Sequence, residues 1–400
     1  MTALPSALPA SFEIMPAPHM HYGAGKREVL PEILSGFGKT ILLVTGGRSF
    51  DVSPMCRSIL ESLEQRFDVF RIRVNGEPSP ELVDAVVSKH AESEISSVLA
   101  IGGGSCIDAA KAIAGLLPSG ESVMNYLEGV GHGKSYHGPS VPFVAAPTTA
   151  GTGGETSKNA VLSRVGAHGF KKSFRHESLI ARCVVLDPEL TLSCPAKITA
   201  ACGLDAFTQL LESYVSLNAN PVTDALAISG MSCVRDALIR VVEQGDDLHA
   251  RCKMLYASSI SGIALANAGL GSVHGLASPL GAFFPVPHGT VCGALLFAAT
   301  RANVRAMRAR RPESVALAKY AHVGRLLLKD HGLSDEAAVD GLLKMLDNWR
   351  VRLNMPRLSE YGMTESDTGK VVANARGSSM KTNPVVLTDN EIVRILMDCL

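Results

Sequence analysis

The stretch SSVLAIGGGSCIDAAKAIAGLL, residues 96–117, constrains the fold most. Its unbroken aliphatic run reads as a strand covered on both faces, as in a parallel sheet, and three glycines then turn the chain directly into a helical pattern. The same kind of unit recurs along the first half. KTILLVTGG (39–47) reads as strand and tight turn, FDVFRIRV (67–74) as a strand before the helical PELVDAVVSKHAE, and VPFVAAPTTAGTG (141–153) as a strand entering a polar glycine loop. CVVLDPEL (183–190) closes the series, with Pro188 stopping the strand after Asp187. Strands alternating with crossover helices predict a nucleotide-binding α/β domain over residues 1–195.

The periodicity changes near residue 195. From CPAKITAACGLDAFTQLLESYVS onward helical patterns dominate, at TDALAISGMSCVRDALIRVVEQ, CKMLYASSISGIALANAG, TVCGALLFAATRANVRAMRAR and EAAVDGLLKMLDNWRVRLN. A nearly all-helical second domain over 196–400 is expected, and 400 residues suffice for two cores. The cleft between such domains is where a cofactor meets a substrate. Lys plus Arg and Asp plus Glu balance at 38 each without a basic run, so neither nucleic acid nor an anionic membrane is an indicated partner. Nine cysteines without a CxxC pair read as reduced thiols in a cytoplasmic protein. MTALPSALPASFEIMP has neither a basic n-region nor a long apolar core, so no secretory signal or membrane anchor is expected there.

The glycine loops carry the first chemical signal. Gly102, Gly103 and Gly104 permit close backbone approach, and the following helix start offers free N–H groups to a phosphate, with Ser105 as N-cap and hydroxyl donor. This is neither GxGxxG nor a Walker loop, so alone it fits a structural turn equally well. A second loop, PTTAGTGGE (147–155), adds Thr148, Thr149 and Thr152 at the end of the next strand, and two such loops read as two walls of a dinucleotide site.

The second signal is a set of metal donors. Asp205 and Gln209 lie one helical turn apart, and His274 and His288 follow fourteen residues from each other. A carboxylate with two imidazoles suits zinc or ferrous iron, while Gln209 offers only a neutral carbonyl oxygen. A helix cap and two hydrogen-bonded core histidines fit the same spacing. Cys202 reads as packing, and His19 and His21 as loop residues rather than ligands.

In order along the chain, HYGAGKREVLPEIL, IGGGSCIDAAK, PTTAGTGGET, LDPEL, GLDAFTQLLESYVS, HGLASPLGAFFPVPHG and NPVVLTDNEI resemble the iron-containing, group III alcohol dehydrogenase superfamily over residues 12–398. The resemblance implies an N-terminal Rossmann-like domain binding NAD or NADP and a C-terminal helical domain presenting a divalent metal, Fe2+ first and Zn2+ as the alternative. It places Gly102 to Ser105 at the cofactor pyrophosphate with Asp108 nearby, Thr148, Thr149 and Thr152 on the second wall, and Lys171 or Lys172 near a ribose. Asp205, His274 and His288 fall on metal-ligand positions, Gln209 where the usual third histidine stands, and Ser278 where many relatives carry a further active-site histidine. Gly46, in the run Gly46, Gly47, Arg48, Ser49, stands where NAD-preferring relatives have an aspartate, so NADP is as acceptable as NAD. The implied reaction is hydride transfer between a small alcohol and its aldehyde or ketone, in a homodimer. The alternatives are a metal-independent reductase of the maleylacetate reductase type, a dehydroquinate synthase-like cyclase, and a cofactor-binding homologue without activity.

Overall fold

The computed structural model describes residues 11–400. The reading of the N-terminus as neither signal nor anchor rests partly on residues 1–10, which lie outside the described residues.

The α/β half runs β1 (His19–Tyr22), α1 (Leu30–Ser35), β2 (Thr40–Gly46), α2 (Arg48–Val52), α3 (Pro54–Glu64), β3 (Asp68–Val74), α4 (Pro80–Lys89), β4 (Ser97–Gly102), α5 (Gly104–Leu116), β5 (Phe143–Pro147), β6 (Asn159–Arg164), β7 (Phe170–Arg175) and β8 (Cys183–Leu186). Six strands form a parallel sheet in the order β1-β8-β5-β4-β2-β3. β4 is buried at every residue, as its aliphatic run requires. Separate apolar clusters cover the two faces, one built on Val98, Ala110 and Phe143, the other on Leu43, Leu99 and Val144. From β2 the chain steps outward to β3 and then back across to β4. The crevice at the C-terminal ends of β2 and β4 is therefore the topological switch point, where ligands of such sheets sit.

Local signals explain the helix starts. Ser53 and Ser79 accept from the N–H groups of Cys56 and Leu82, and Pro54 and Pro80 fill the first helical positions of α3 and α4. At α5 the structure corrects the expectation for Ser105. The N-cap is Gly103, with no side-chain cap, and Ser105 lies inside the first turn.

Two further features depart from the sequence reading. His19 and His21 lie on the edge strand β1, not in a loop. An antiparallel hairpin, β6–β7, stands apart from the main sheet and leads into β8.

The helical half contains α6 (Ala196–Val215), α7 (Pro221–Glu243), α8 (Leu248–Ala268), α9 (Ser272–Phe283), α10 (His288–Arg310), α11 (Val315–Leu328), α12 (Asp335–Arg352), α13 (Thr368–Asn374), α14 (Ser378–Lys381) and α15 (Asp389–Asp398). α6 is buried almost all round and packs against α7, α8 and α10, so it forms the centre of this domain. Phe207 on α6 meets Trp349 of α12 edge to face at 5.0 Å. Among the described residues no single helix is long and apolar enough to cross a membrane. α8 and α9 together reach that length and apolarity, but they meet at 101°.

Candidate metal centre and cofactor crevice

Among the buried polar residues of α6, Asp205, Gln209 and Glu212 lie at i, i+4 and i+7 on one face of the helix. Such residues need partners, and α9 and α10 supply them. His274, in the first turn of α9, and His288, the first residue of α10, meet with ring centroids 5.5 Å apart. One turn along α10 from His288, Cys292 joins them. One donor atom from each of Asp205, His274, His288 and Cys292 lies within 4.8 Å of all the others.

Hydrogen bonding fixes the roles of the ring atoms. Glu212 Oε2 accepts from His274 Nδ1 at 2.6 Å, and Glu212 Oε1 accepts from the Val273 backbone N–H at 2.7 Å. In the neutral imidazole this leaves a lone pair on Nε2, facing Asp205 Oδ1 at 3.3 Å and Cys292 Sγ at 3.7 Å. Two acceptors so placed require a proton or a cation between them. Burial disfavours charge on His274, yet Cys292, Asp205 and Glu212 outweigh it and hold the imidazole well above its usual pKa. His288 Nε2 is 3.8 Å from both Asp205 Oδ1 and Cys292 Sγ. Burial, with Lys171 and His274 nearby, depresses its pKa to about 4, so it presents a neutral ring. Asp205 Oδ2 and His288 Nδ1 are buried without any partner.

Orphaned polar atoms of this kind mark a missing ion or water. A carboxylate, two imidazoles and a thiol around one point form a donor set for a divalent transition metal, so these residues fit the metal that the fold implies. Glu212 supplies the outer carboxylate that orients a metal-bound histidine.

Gln209 stands beside this group in a different posture. Its Nε2 donates to Asp205 Oδ1 at 3.3 Å, and its Oε1 accepts from Ser261 Oγ at 2.6 Å. Ser278 donates its hydroxyl to the Lys171 carbonyl at 3.0 Å and so ties α9 to β7. The Lys171 ammonium, nearly buried, pairs with Glu77 Oε2 at 2.9 Å. Asp108 faces the β6 side of α5. Burial raises its pKa to about 7 against the pull of Lys111, and Glu77 adds to the rise.

The glycine loops meet at the switch point. A Cβ on Gly102 would lie 3.1 Å from the Gly46 nitrogen, and one on Gly104 would lie 2.9 Å from Thr152 Oγ1, so the loops after β2, β4 and β5 pack together only because these residues lack side chains. A Cβ on Gly103 would meet Thr149 Oγ1 at 3.3 Å, and one on Gly47 would strike Asn75. Thr148 is half-buried beside them, and Arg48 and Ser49 are exposed at the mouth. Lys111, fully buried on α5, donates to the carbonyls of Gly154, Ser157 and Asn159 at 2.6–2.8 Å and so fixes the end of the second loop. That loop is also clamped to the helical domain. Glu155 accepts from Ser259 Oγ at 2.6 Å, Thr156 Oγ1 donates to the Ser259 carbonyl at 2.9 Å, and Cys202 packs against Gly151, as its packing role requires.

Two family models divide the chain between them. Residues 17–188 match the iron-containing alcohol dehydrogenase model, and residues 199–400 match the C-terminal model of the Fe-containing alcohol dehydrogenase family. The chain belongs to the iron-containing alcohol dehydrogenase family. It is 33% identical to alcohol dehydrogenase 4 of Schizosaccharomyces pombe over 97% of this chain and 89% of that protein. It is 33% identical to the NAD-dependent methanol dehydrogenase of Bacillus methanolicus over 81% and 82% of the two chains. A crystal structure of 1,3-propanediol oxidoreductase superposes with a TM-score of 0.88 at 28% identity, covering 98% of this chain and all of the other. The protein is an NAD(P)-dependent alcohol dehydrogenase of the iron type, with a Rossmann-like domain and an all-helical domain that bears the metal cluster.

Sequence reading passed over four residues of this iron-containing alcohol dehydrogenase site. Cys292 carried a signal in its i, i+4 spacing from His288, and Glu212 in its i+7 spacing from Asp205. Glu77 and Lys111 carried none, because their partners are distant in sequence.

Proposed function

We propose that the protein interconverts a small alcohol and its aldehyde or ketone by metal-assisted hydride transfer with NAD or NADP. The observation that carries this reading is the convergence of Asp205, His274 and His288, with Asp205 Oδ2 left buried and unpaired. A divalent ion held there, Fe2+ or Zn2+, supplies Lewis acidity at the substrate oxygen. Glu212 fixes the His274 ring, and Gln209 steadies the Asp205 carboxylate through its amide N–H. His288, 24% exposed at its side chain, faces the open side of the site from which substrate would approach.

In this reading the pyrophosphate rests on the uncapped start of α5, against Gly102, Gly103, Gly104 and Ser105, with Thr148, Thr149 and Thr152 opposite and Asp108 behind. Gly46, Gly47, Arg48 and Ser49 border the adenosine ribose, where no carboxylate opposes a 2′-phosphate. Lys171 was expected at a ribose. Its pairing with Glu77, within electrostatic reach of His288, favours the substrate side, where it would hold a positive charge beside the reacting oxygen. Ser278 then acts by positioning Lys171 through its carbonyl. We place the domain division at 195/196, and the protein in the cytoplasm as a homodimer that binds no nucleic acid.

Anaerobic reconstitution with single divalent ions, followed by an alcohol and aldehyde panel with NAD and NADP in parallel, tests the proposal. Metal-dependent, stoichiometric nicotinamide turnover that disappears in Asp205→Ala is expected. Turnover that survives both chelation and Asp205→Ala refutes metal assistance and favours a metal-independent reductase.

A further inference from the structure

We propose that Cys292, as the thiolate, is the fourth protein ligand of this centre, in place of any donor from residue 209. The proposal rests on the metal-assisted reading above and adds the identity and softness of its donor set. Two observations converge on it.

The first is the posture of Gln209. Its carbonyl oxygen, the only atom of the side chain able to bind a cation, faces the Ser261 hydroxyl at 2.6 Å, and its N–H group is turned toward Asp205. In this posture α6 turns Asp205, and not the Gln209 oxygen, toward the centre, and a further donor is supplied from another helix.

The second is geometry. Tetrahedral zinc with Zn–S near 2.3 Å and Zn–N or Zn–O near 2.0 Å sets about 3.6 Å between sulfur and nitrogen ligands and about 3.3 Å between nitrogen and oxygen. Cys292 Sγ lies 3.7 and 3.8 Å from the Nε2 atoms of His274 and His288, and Asp205 Oδ1 lies 3.3 and 3.8 Å from the same atoms. These edges match a tetrahedron to within about half an ångström before any ion draws it in, and a substrate oxygen would enter such a site as a fifth ligand. The spacing follows from the helix, since His288 and Cys292 are one turn apart on α10 and both project at α6 and α9.

On binding, the thiol releases its proton to solvent and the sulfur lone pair forms the bond to the metal, with no change of oxidation state. Two anionic ligands then cancel the charge of the divalent ion. The donor set shifts from the hard toward the borderline-soft, which favours Zn2+ and Co2+ over Fe2+ relative to an oxygen and nitrogen site.

Cobalt substitution of the full-length protein tests this through absorption and metal content. One Co2+ per chain, with a near-ultraviolet thiolate-to-cobalt charge-transfer band, is expected. The band should vanish in Cys292→Ser, whose metal retention against a chelator should fall by at least the roughly 10–100-fold that losing an outer partner costs. It should persist in Cys183→Ala, the control for the second group of close donors, His19, His21 and Cys183. One bound Co2+ without the band, or a band unchanged in Cys292→Ser, overturns the inference and leaves metal assistance standing. A wild-type protein that takes up no divalent ion overturns both.

Discussion

Gly262 on α8 is where the helical domain presses hardest on the cofactor loop, and Gly262→Ala measures what that contact does. A Cβ there would lie 2.1 Å from the Gly153 carbonyl oxygen and 2.2 Å from Thr156 Oγ1. An ordinary carbon–oxygen contact needs about 3.3 Å, so α8 and the loop must part by about 1.2 Å. Neither neighbour yields easily. Gly153 is backbone at φ 58, and Thr156 Oγ1 is engaged at the Ser259 carbonyl. Overpacking of this kind costs about 1–3 kcal/mol, and with backbone as the obstacle the upper end is expected. The loop that moves carries Thr149 and Thr152, one wall of the proposed cofactor crevice, so nicotinamide and substrate lose alignment together. A misplacement of about 1 Å lowers kcat/KM by about 100-fold. The assay pairs urea unfolding with steady-state kinetics on metal-replete enzyme. A variant within about 0.5 kcal/mol and a factor of about two of wild type would show that the contact is slack and refute the reasoning.

Glu212→Gln keeps the shape of the side chain but weakens its hold on His274 Nδ1, and metal affinity by competition with a chelator should fall about 10–100-fold while the fold persists. Lys111→Met strips the donor from three buried carbonyls and should destabilise the protein in chemical denaturation by about 1–3 kcal/mol for each carbonyl left without a partner. Asp236, 28% exposed at its side chain, is paired first with Arg235 and then with Lys329, which hold its pKa well below the usual carboxylate value. Its folded pKa lies below the unfolded one, so its contribution is present above pH 4 and lost as pH falls. Asp236→Asn should cost up to about 1 kcal/mol at pH 7, and the difference from wild type should begin to shrink below about pH 4 and close only as pH falls through the depressed folded value. Gly46→Asp places a carboxylate where only Ser49 Oγ stands nearby at 3.4 Å, and should raise KM for NADP at least about tenfold over that for NAD.

The centre of the main sheet was legible because β2, β4, β5 and β8 are nearly continuous apolar runs, and β2 and β4 end in glycine. β1 and the β6–β7 hairpin were not. The exposed edge strand HMHY has no buried face to impose an apolar pattern, and FKKSFR on β7 carries three charged residues, including Lys171, whose charge is answered by Glu77 far back in the chain. α9 was obscured by Pro279 within it. The proline lies two turns into the helix, and the lost hydrogen bond is tolerated in a helix held by burial on nearly every side.

The donor set shows the same limit more sharply. Asp205, His274 and His288 can be read from residue type and order, but which atoms face inward depends on partners that sequence spacing does not rank. Glu212 commits His274 Nδ1 and so turns Nε2 toward Asp205, while Ser261 commits the Gln209 oxygen and so turns it away. Both decisions are made by single hydrogen bonds of 2.6 Å, to Glu212 in one case and from Ser261 in the other. Gln209 thus looks like a weakened ligand in the sequence and becomes a support for Asp205 in the fold. The donor it vacates is matched across the centre by Cys292, which one turn of α10 carries to the same point in space.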